Sequence, residues 1–251
     1  MTLETTCDDF LGGGLKILQP QAGYRAGIDP VLLAASIPAK PGETVLDLGC
    51  GVGVAGLCLA RRVPGVHLVG LERQPAYAEL ARQNGAANAL PFEVVEGDLS
   101  AMPDTLKERQ FHHVLANPPY FDRAASTAAT DPGREGAMGE DTPLAAWVAA
   151  AAKRTRPKGT TTFIQRADRL PELLSHAARH LGSLQLLPLI PRPGRLARLV
   201  LLRGRRGGRA AFRLHDGWCL HNGQRHVNDC ENYTSATACI LRDGKEMPFP
   251  D

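Results

Sequence analysis

Apolar and polar positions along the chain follow two alternating periods. Short apolar runs of strand length cover residues 44–48, 66–71 and 92–95, and a fourth ends at 114–116. Glycine, proline or acidic residues bound each run. Between them the pattern becomes helical. Residues 54–63 follow a glycine cluster, and residues 75–86 put Ala78, Ala81 and Gly85 on one face. The alternation continues with a helix over 144–154, a strand over 160–165, a helix over 170–181 and strands over 184–190 and 198–202. Strand and helix in this order predict an α/β fold with a seven-stranded, mostly parallel sheet of Rossmann-like type and helices on both faces. The last two strands, joined by the Pro/Gly/Arg stretch 191–195, predict an antiparallel edge hairpin.

The stretches between these elements carry their own signals. Residues 1–28 are rich in glycine and polar groups and read as a short strand or loop approach. Asp29-Pro30 then opens an apolar helix, with Asp29 as N-cap and Pro30 at the first helical position. Residues 117–141 form a loop long enough to suggest a functional role. The run 203–209, RGRRGGR, reads as a basic hairpin tip or a linker. The chain is expected to be one domain over 1–251, with an N-terminal extension (1–43) and a basic C-terminal extension (203–251).

Composition narrows this only where it is uneven. The 251 residues are 43% hydrophobic and 22% charged, which excludes a disordered chain. No apolar run has membrane-spanning length, and the first twenty residues lack the basic start and apolar core of a secretory signal. Six cysteines then read as reduced thiols of a cytoplasmic protein. The net charge of +3 conceals a split: residues 1–150 carry −7 and residues 151–251 carry +10. Such asymmetry points to a polyanionic partner for the basic part.

The glycine loop, VLDLGCGVGV over 45–54, fits two templates. Gly51, Gly53 and Gly56 spell G-x-G-x-x-G with Glu72 about twenty residues on, the dinucleotide fingerprint. Asp47, Gly49, Gly51 and Gly53 spell D-x-G-x-G-x-G. An acid at the end of the first strand suits a cationic nucleoside without phosphates better than a pyrophosphate. S-adenosylmethionine is such a ligand. Glu72 and Asp98 end the next two strands, where ligands of parallel sheets bind. Glu72 can accept both ribose hydroxyls, and Asp98 the adenine amino group. Three acids at successive strand ends behind a glycine loop resemble the class I S-adenosylmethionine-dependent methyltransferases.

After the fourth strand the chain reads Asn117-Pro118-Pro119-Tyr120. Two prolines stiffen the backbone and remove two donors, and Asn117 is held extended. The Asn117 side-chain carbonyl and the Pro118 carbonyl can each accept one hydrogen of a planar –NH2 group, turning its lone pair toward a methyl donor. Tyr120 would stack on the substrate through its ring, so a phenylalanine there should also serve. Phe121 and Arg123 are candidate RNA contacts beside it. The tetrad resembles that of amino-methyltransferases acting on adenine N6, guanine N2 or glutamine amides.

Phe10, Leu11, Gly12, Gly13, Gln19-Pro20, Gly23-Tyr24-Arg25, Gly27, Asp29 and Leu32-Leu33, followed by the glycine loop and tetrad, resemble the bacterial tRNA (valine) adenine N6-methyltransferases from about residue 8 to about 174. That resemblance implies methylation of the adenine next to the anticodon, with S-adenosylmethionine as donor and S-adenosylhomocysteine as product. It also implies that Tyr24, Arg25 and Asp29 lie over the methionine end of the cofactor, unless Arg25 merely pairs with Asp29. Arg203, Arg205, Arg206 and Arg209 are the expected RNA contacts.

Other readings stay in view. Glutamine methylation of a release factor calls for a helical domain, and only 44 residues precede Val45. Guanine N2 methylation of ribosomal RNA is the next rival. A non-catalytic RNA-binding protein leaves the tetrad unexplained, and a nicotinamide oxidoreductase leaves it idle. His215, His221, His226, Cys219, Cys230 and Cys239 follow no common zinc spacing, so no metal is expected. Cys50 reads as a small residue in a crowded turn. No membrane association is expected, and a monomer is the simplest state.

Overall fold

The structure is a computed structural model, and it describes residues 4–122, 139–140, 142–225 and 232–249. The chain runs β1 (Thr5–Phe10), β2 (Leu15–Pro20), α1 (Asp29–Ser36), β3 (Thr44–Leu48), α2 (Val54–Arg62), β4 (His67–Glu72), α3 (Pro75–Ala87), β5 (Phe92–Glu96), α4 (Asp104–Lys107), β6 (Phe111–Ala116) and β7 (Phe121–Asp122). It continues through β8 (Gly139–Glu140), α5 (Leu144–Arg154), β9 (Thr155–Arg166), α6 (Leu170–His180), β10 (Gly182–Ile190), β11 (Leu199–Arg205), β12 (Arg213–Leu214), β13 (Trp218–Cys219) and α7 (Ser235–Asp243).

The central sheet has the order β12-β10-β11-β9-β6-β3-β4-β5. Strands β9, β6, β3, β4 and β5 are mutually parallel, and β11 runs antiparallel to both β9 and β10. The seven expected strands are all present. The two-residue β12 and β13 pair along the outer side of β10, so the sheet has nine strands among the described residues. They cover most of the edge that the hairpin would otherwise expose.

Two apolar clusters lie on the two faces of this sheet. One gathers Leu32, Leu33, Leu57 and Leu59 from α1 and α2 with Val45 and Leu115, and the other gathers Trp147, Val148 and Leu173 from α5 and α6 with Leu46, Val114 and Phe163. Burying each such leucine, valine or phenylalanine contributes about 1.5–3 kcal/mol.

The first 28 residues hold more order than their composition suggests. β1 and β2 form an antiparallel hairpin. Leu15 and Ile17 alternate into the core, fully buried. The hairpin is held to α3 by two asparagines one helical turn apart. Asn84 accepts from Leu18 N (2.7 Å) and donates to Leu18 O (3.0 Å), and Asn88 does the same for Lys16 (3.0 and 2.7 Å). These side-chain amides stand in for a neighbouring strand.

In the 117–141 stretch, β7 pairs in parallel with β8. Strand β9 starts earlier than residue 160. Its register against β6 jumps from Phe111↔Thr155 to His113↔Thr160, so residues 156–159 bulge outward.

Candidate active site

The carboxyl ends of β3, β4, β5 and β6 open on a cavity of about 320 Å³. One wall is the glycine loop between β3 and α2. At Gly49 the backbone has φ 74°, and a Cβ there would sit 2.3 Å from a Trp147 ring carbon. Only glycine meets both conditions. Its absence of a side chain lets the indole of α5 lie against the loop and line the cavity. Gly49 N and Cys50 N donate to Leu71 O (2.8 and 3.0 Å), and Gly51 N donates to Glu72 Oε2 (2.9 Å). Glu72 Oε1 accepts from Gln74 N (2.8 Å). Burial raises the Glu72 carboxyl above its usual range, while the Gln74 and Gly51 N–H groups pull it back.

The three acids divide into two roles. Glu72 and Asp98 line the cavity. Asp98 also caps the turn Leu99–Ala101 through Ser100 N (2.8 Å), and the Ser100 hydroxyl holds its carboxyl below the usual range. Asp47 is not among the lining residues. It is buried behind the loop and accepts from Gly56 N (2.9 Å) in the first turn of α2. Desolvation pushes it up to about 7. The expectation that Asp47 faces a ligand is therefore corrected: it ties α2 to β3. Gly53 is corrected likewise, because it sits at the N-cap of α2, where a Cβ would meet the Phe92 ring at 2.7 Å. Cys50 is buried and its thiol is pushed well up, which removes it as a nucleophile.

The opposite wall is the tetrad. Asn117, Pro118, Pro119 and Tyr120 all line the cavity. Asn117 Nδ2 donates to Tyr24 Oη (3.3 Å), while its Oδ1 is buried with no hydrogen-bond partner. An unsatisfied buried carbonyl costs about 1–3 kcal/mol, so it marks a place for a donor. Pro119 O accepts from Gln165 Nε2 and Arg169 Nη1, both at 3.4 Å. Tyr120 Oη donates to Asp29 Oδ2 at 2.5 Å. The Tyr120 hydroxyl is raised by burial and by the Asp29 charge, and burial raises Asp29 in turn. A phenylalanine at 120 would strip this carboxylate of its donor, so the hydroxyl does have a task.

The segment before α1 reaches this wall. Asp29 is the first helical residue; Ile28 occupies the N-cap, and no side chain caps it. The cap reading of Asp29 fails because its carboxylate is turned to Tyr120. Arg25 does not pair with Asp29. It binds Asp8 (2.5 Å), Thr6 Oγ1 (2.7 Å) and Pro20 O (2.9 Å), fastening the hairpin beneath the loop, while still lining the cavity. Tyr24 lines it too, with its hydroxyl pushed up to about 12, mainly by burial. Tyr77 Oη accepts from Tyr24 N (3.1 Å) and sets that position.

Sequence reading missed Tyr77, Gln74, Leu99, Thr142 and Trp147, which also line the cavity. Tyr77 sits in the first turn of the helix after Glu72, a position adjacent to a strand end, and that signal was available. Trp147 gave none.

The RGRRGGR run is not at this site. Arg205 pairs with Thr160, at the end of the sheet where the parallel strands begin. Arg203 is turned inward: its guanidinium donates to Ser36 O and stacks on Phe249 at 3.9 Å, and burial lowers it to about 10. Arg206 donates to Lys153 O (3.1 Å) and Thr155 O (2.6 Å), clasping the β9 bulge. The expectation that Arg203 and Arg206 contact RNA is corrected, since both are spent on the protein's own carbonyls. Arg205 and Arg209 are exposed but remote from the cavity. The Phe121 side chain and Arg123 lie outside the described residues, as do His226 and Cys230. Among the described residues no three His, Cys, Asp or Glu side chains form a group able to hold a metal, and no helix is long and apolar enough to cross a membrane.

A family profile described as "Methyltransferase small domain" matches residues 26–131. A tRNA1(Val) (adenine(37)-N6)-methyltransferase from Porphyromonas gingivalis is 33% identical over 182 residues, covering 69% of this chain and 71% of that protein. One of the same name from Yersinia enterocolitica is 32% identical over 132 residues, covering 49% and 51%. Among solved structures, a predicted O-methyltransferase from Agrobacterium tumefaciens superposes with a TM-score of 0.71 at 24% identity, covering 88% of this chain and 99% of that one. The Thermus thermophilus 16S rRNA N2 G1207 methyltransferase, in complex with AdoMet and guanosine, gives 0.55 at 22% identity, covering 81% and 50%. Both structural likenesses concern the fold.

Proposed function

The chain belongs to the tRNA1(Val) (adenine(37)-N6)-methyltransferase family, and from that premise we propose that it transfers a methyl group to the exocyclic N6 of an adenine in tRNA. The fold and family make it an S-adenosylmethionine-dependent methyltransferase. The observation that carries the choice of an amino group is the buried, unpartnered Asn117 Oδ1 beside Pro118 and Tyr120.

The residues present fit the cofactor. Glu72 and Asp98 offer carboxylate oxygens and suit a ligand with hydroxyls, an amino group and positive charge. Trp147 against Gly49 supplies a flat apolar wall. When bound, S-adenosylmethionine supplies an electrophilic methyl and leaves as S-adenosylhomocysteine. The chain's own work is to hold the acceptor. Asn117 Oδ1 and the Pro118 carbonyl take one N–H each, which draws the nitrogen lone pair out of the ring system and aims it into the cavity. Tyr24 holds the Asn117 amide in register, and Asp29 holds the Tyr120 ring. The spare proton leaves the nitrogen for water after the N–C bond has formed, so no strong base is required. Positioning and fixed dipoles account for the rate.

We take 1–251 as one catalytic unit, with the N-terminal hairpin completing the floor of the site. The test is label transfer from methyl-tritiated S-adenosylmethionine to unmodified tRNA, with nucleoside mass spectrometry. N6-methyladenosine in the product supports the reading. N2-methylguanosine, or no RNA product alongside label in a release factor, sinks it.

A further inference from the structure

Charge is distributed around the cavity rim by strand, and that distribution assigns a side to the substrate. On the flank built on β4 and β5 the cations are matched by acids: Arg73 faces Asp98 (3.9 Å), Arg82 pairs with Glu96 (2.9 Å) and Arg109 with Glu93 (2.6 Å). The flank built on β9, β11 and β10 carries cations in excess. Residues 165–198 contain six arginines against two acids. Because β10 and β9 run parallel to β6, the connection from Ile190 to Leu199 opens on the same edge as the tetrad.

This connection, residues 191–198, touches the catalytic wall through one turn. Arg198 O accepts from Ala167 N (2.8 Å), and the neighbouring Gln165 and Arg169 hold Pro119 O. At about 4.8 Å between strands, β11 lies about 10 Å to the side of the strand ending in Asn117. The loop is braced by Arg195 N to Arg192 O (3.0 Å) and by Arg192 Nη1 to Asn222 O (2.6 Å). Arg195 in the loop and Arg198 at its end are exposed, and neither has a carboxylate partner among the described residues. Arg169, by contrast, pairs with Glu172 (2.8 Å) and Arg166 with Asp168. Between the two free guanidinium groups, Leu196 is 89% exposed. Two unpaired arginines flanking a solvent-facing leucine match a sugar–phosphate backbone with an unstacked base beside it.

We propose that the 191–198 loop is the RNA-docking surface: Arg195 and Arg198 hold phosphates flanking the target adenosine, and Leu196 packs on an adjoining ribose or base. This rests on the reading of the chain as an RNA methyltransferase. RGRRGGR plays no part in it: Arg205 lies six residue steps along β11 from Leu199, about 20 Å along the strand.

Two double variants of the full chain separate the alternatives, Arg195→Glu/Arg198→Glu and Arg205→Glu/Arg209→Glu. All four side chains are exposed, and unchanged S-adenosylmethionine binding by calorimetry verifies each fold. The probe is an unmodified tRNA transcript, bound and methylated across a salt series. The loop variant should raise KM for tRNA at least tenfold with kcat nearly kept. Its slope of log affinity against log salt should flatten by about 1.5, at about 0.7–0.9 per phosphate lost. The RGRRGGR variant should match wild type in both. A wild-type KM and slope in the loop variant, or the effect appearing in the other variant, overturns the docking surface while leaving the methyltransferase reading intact. Wild-type binding that depends on the loop but yields no methylated adenine does the opposite. Wild-type protein with no salt-dependent tRNA binding overturns both.

Discussion

On the glycine-loop wall, Glu72 accepts from Gly51 and Gln74, and Asp47 accepts from Gly56, so the acids are already held before any ligand arrives. On the tetrad wall, Asn117 Oδ1 is buried and unpartnered, though its amide nitrogen and the Tyr120 hydroxyl are both engaged. The first wall is a finished receptor whose carboxylates have oxygen lone pairs to spare. The second is held through the Asn117 amide nitrogen, the Pro119 carbonyl and the Tyr120 hydroxyl, and it leaves Asn117 Oδ1 open where the reacting nitrogen must come. At Asn117 the cost of the unmade hydrogen bond falls at the position where a substrate donor repays it.

The largest expected effect breaks the open wall. Asn117→Ala should lower kcat for tRNA by about 10²–10³-fold, by analogy with the loss of one preorganised group at a reacting centre. Calorimetric affinity for S-adenosylmethionine should persist, and a variant with wild-type turnover would reduce the tetrad to a turn.

Asp47→Asn acts on the finished wall and should show in stability. In the fold Asp47 keeps its proton up to about pH 7, whereas the unfolded chain releases it near pH 4. Between those values the folded state binds the additional proton. The group's contribution to stability therefore falls as pH rises, then levels off above about 7. The variant should lose that decline, on the order of 2–4 kcal/mol across the window, while its amide oxygen still accepts from Gly56 N. Urea titrations from acid to neutral pH measure it; parallel curves for the two proteins contradict the assignment.

Glu72→Ala should weaken cofactor binding by about 1.5–3 kcal/mol, through lost charge-assisted hydrogen bonds and a slackened Gly51. NAD heat in calorimetry with no S-adenosylmethionine heat would show the wall built for another ligand. The smallest change is Tyr120→Phe, which keeps the ring but leaves Asp29 without its donor. A loss of about 3–10-fold in kcat, on the order of 1 kcal/mol, is expected. If Asp29→Asn fails to restore part of it in the double variant, the pair does not act as one unit.

Much of this was legible along the chain because it is local. The strands over 44–48, 66–71 and 92–95 and the helix over 144–154 are continuous patterns, and Glu72, Asp98 and Asn117 are strand-end residues by construction. What failed to show is non-local. Leu15 and Ile17 alternate as in any strand, but the hairpin depends on Asn84 in α3 and Asn88 at its C-cap, some seventy residues on. Asp29 resembles an N-cap until Tyr120, ninety-one residues later, supplies its donor. The arginine run misled for the same reason. A charge count cannot report that Arg203 finds Ser36 O and a Phe249 ring, or that Arg205 stands at the wrong end of the sheet.

The reversed strand β11 lies between β9 and β10 although it is made after both. While the chain is being synthesised, β10 therefore has no neighbour to join until β11 emerges, and β9 presents an unpaired flank carrying Thr161–Gln165, all buried in the end state. Both are open edges of the kind that recruit other chains. Insertion of Leu199–Arg205 closes the two edges in one event, so the yield of native protein should hinge on how quickly that single segment zips into place.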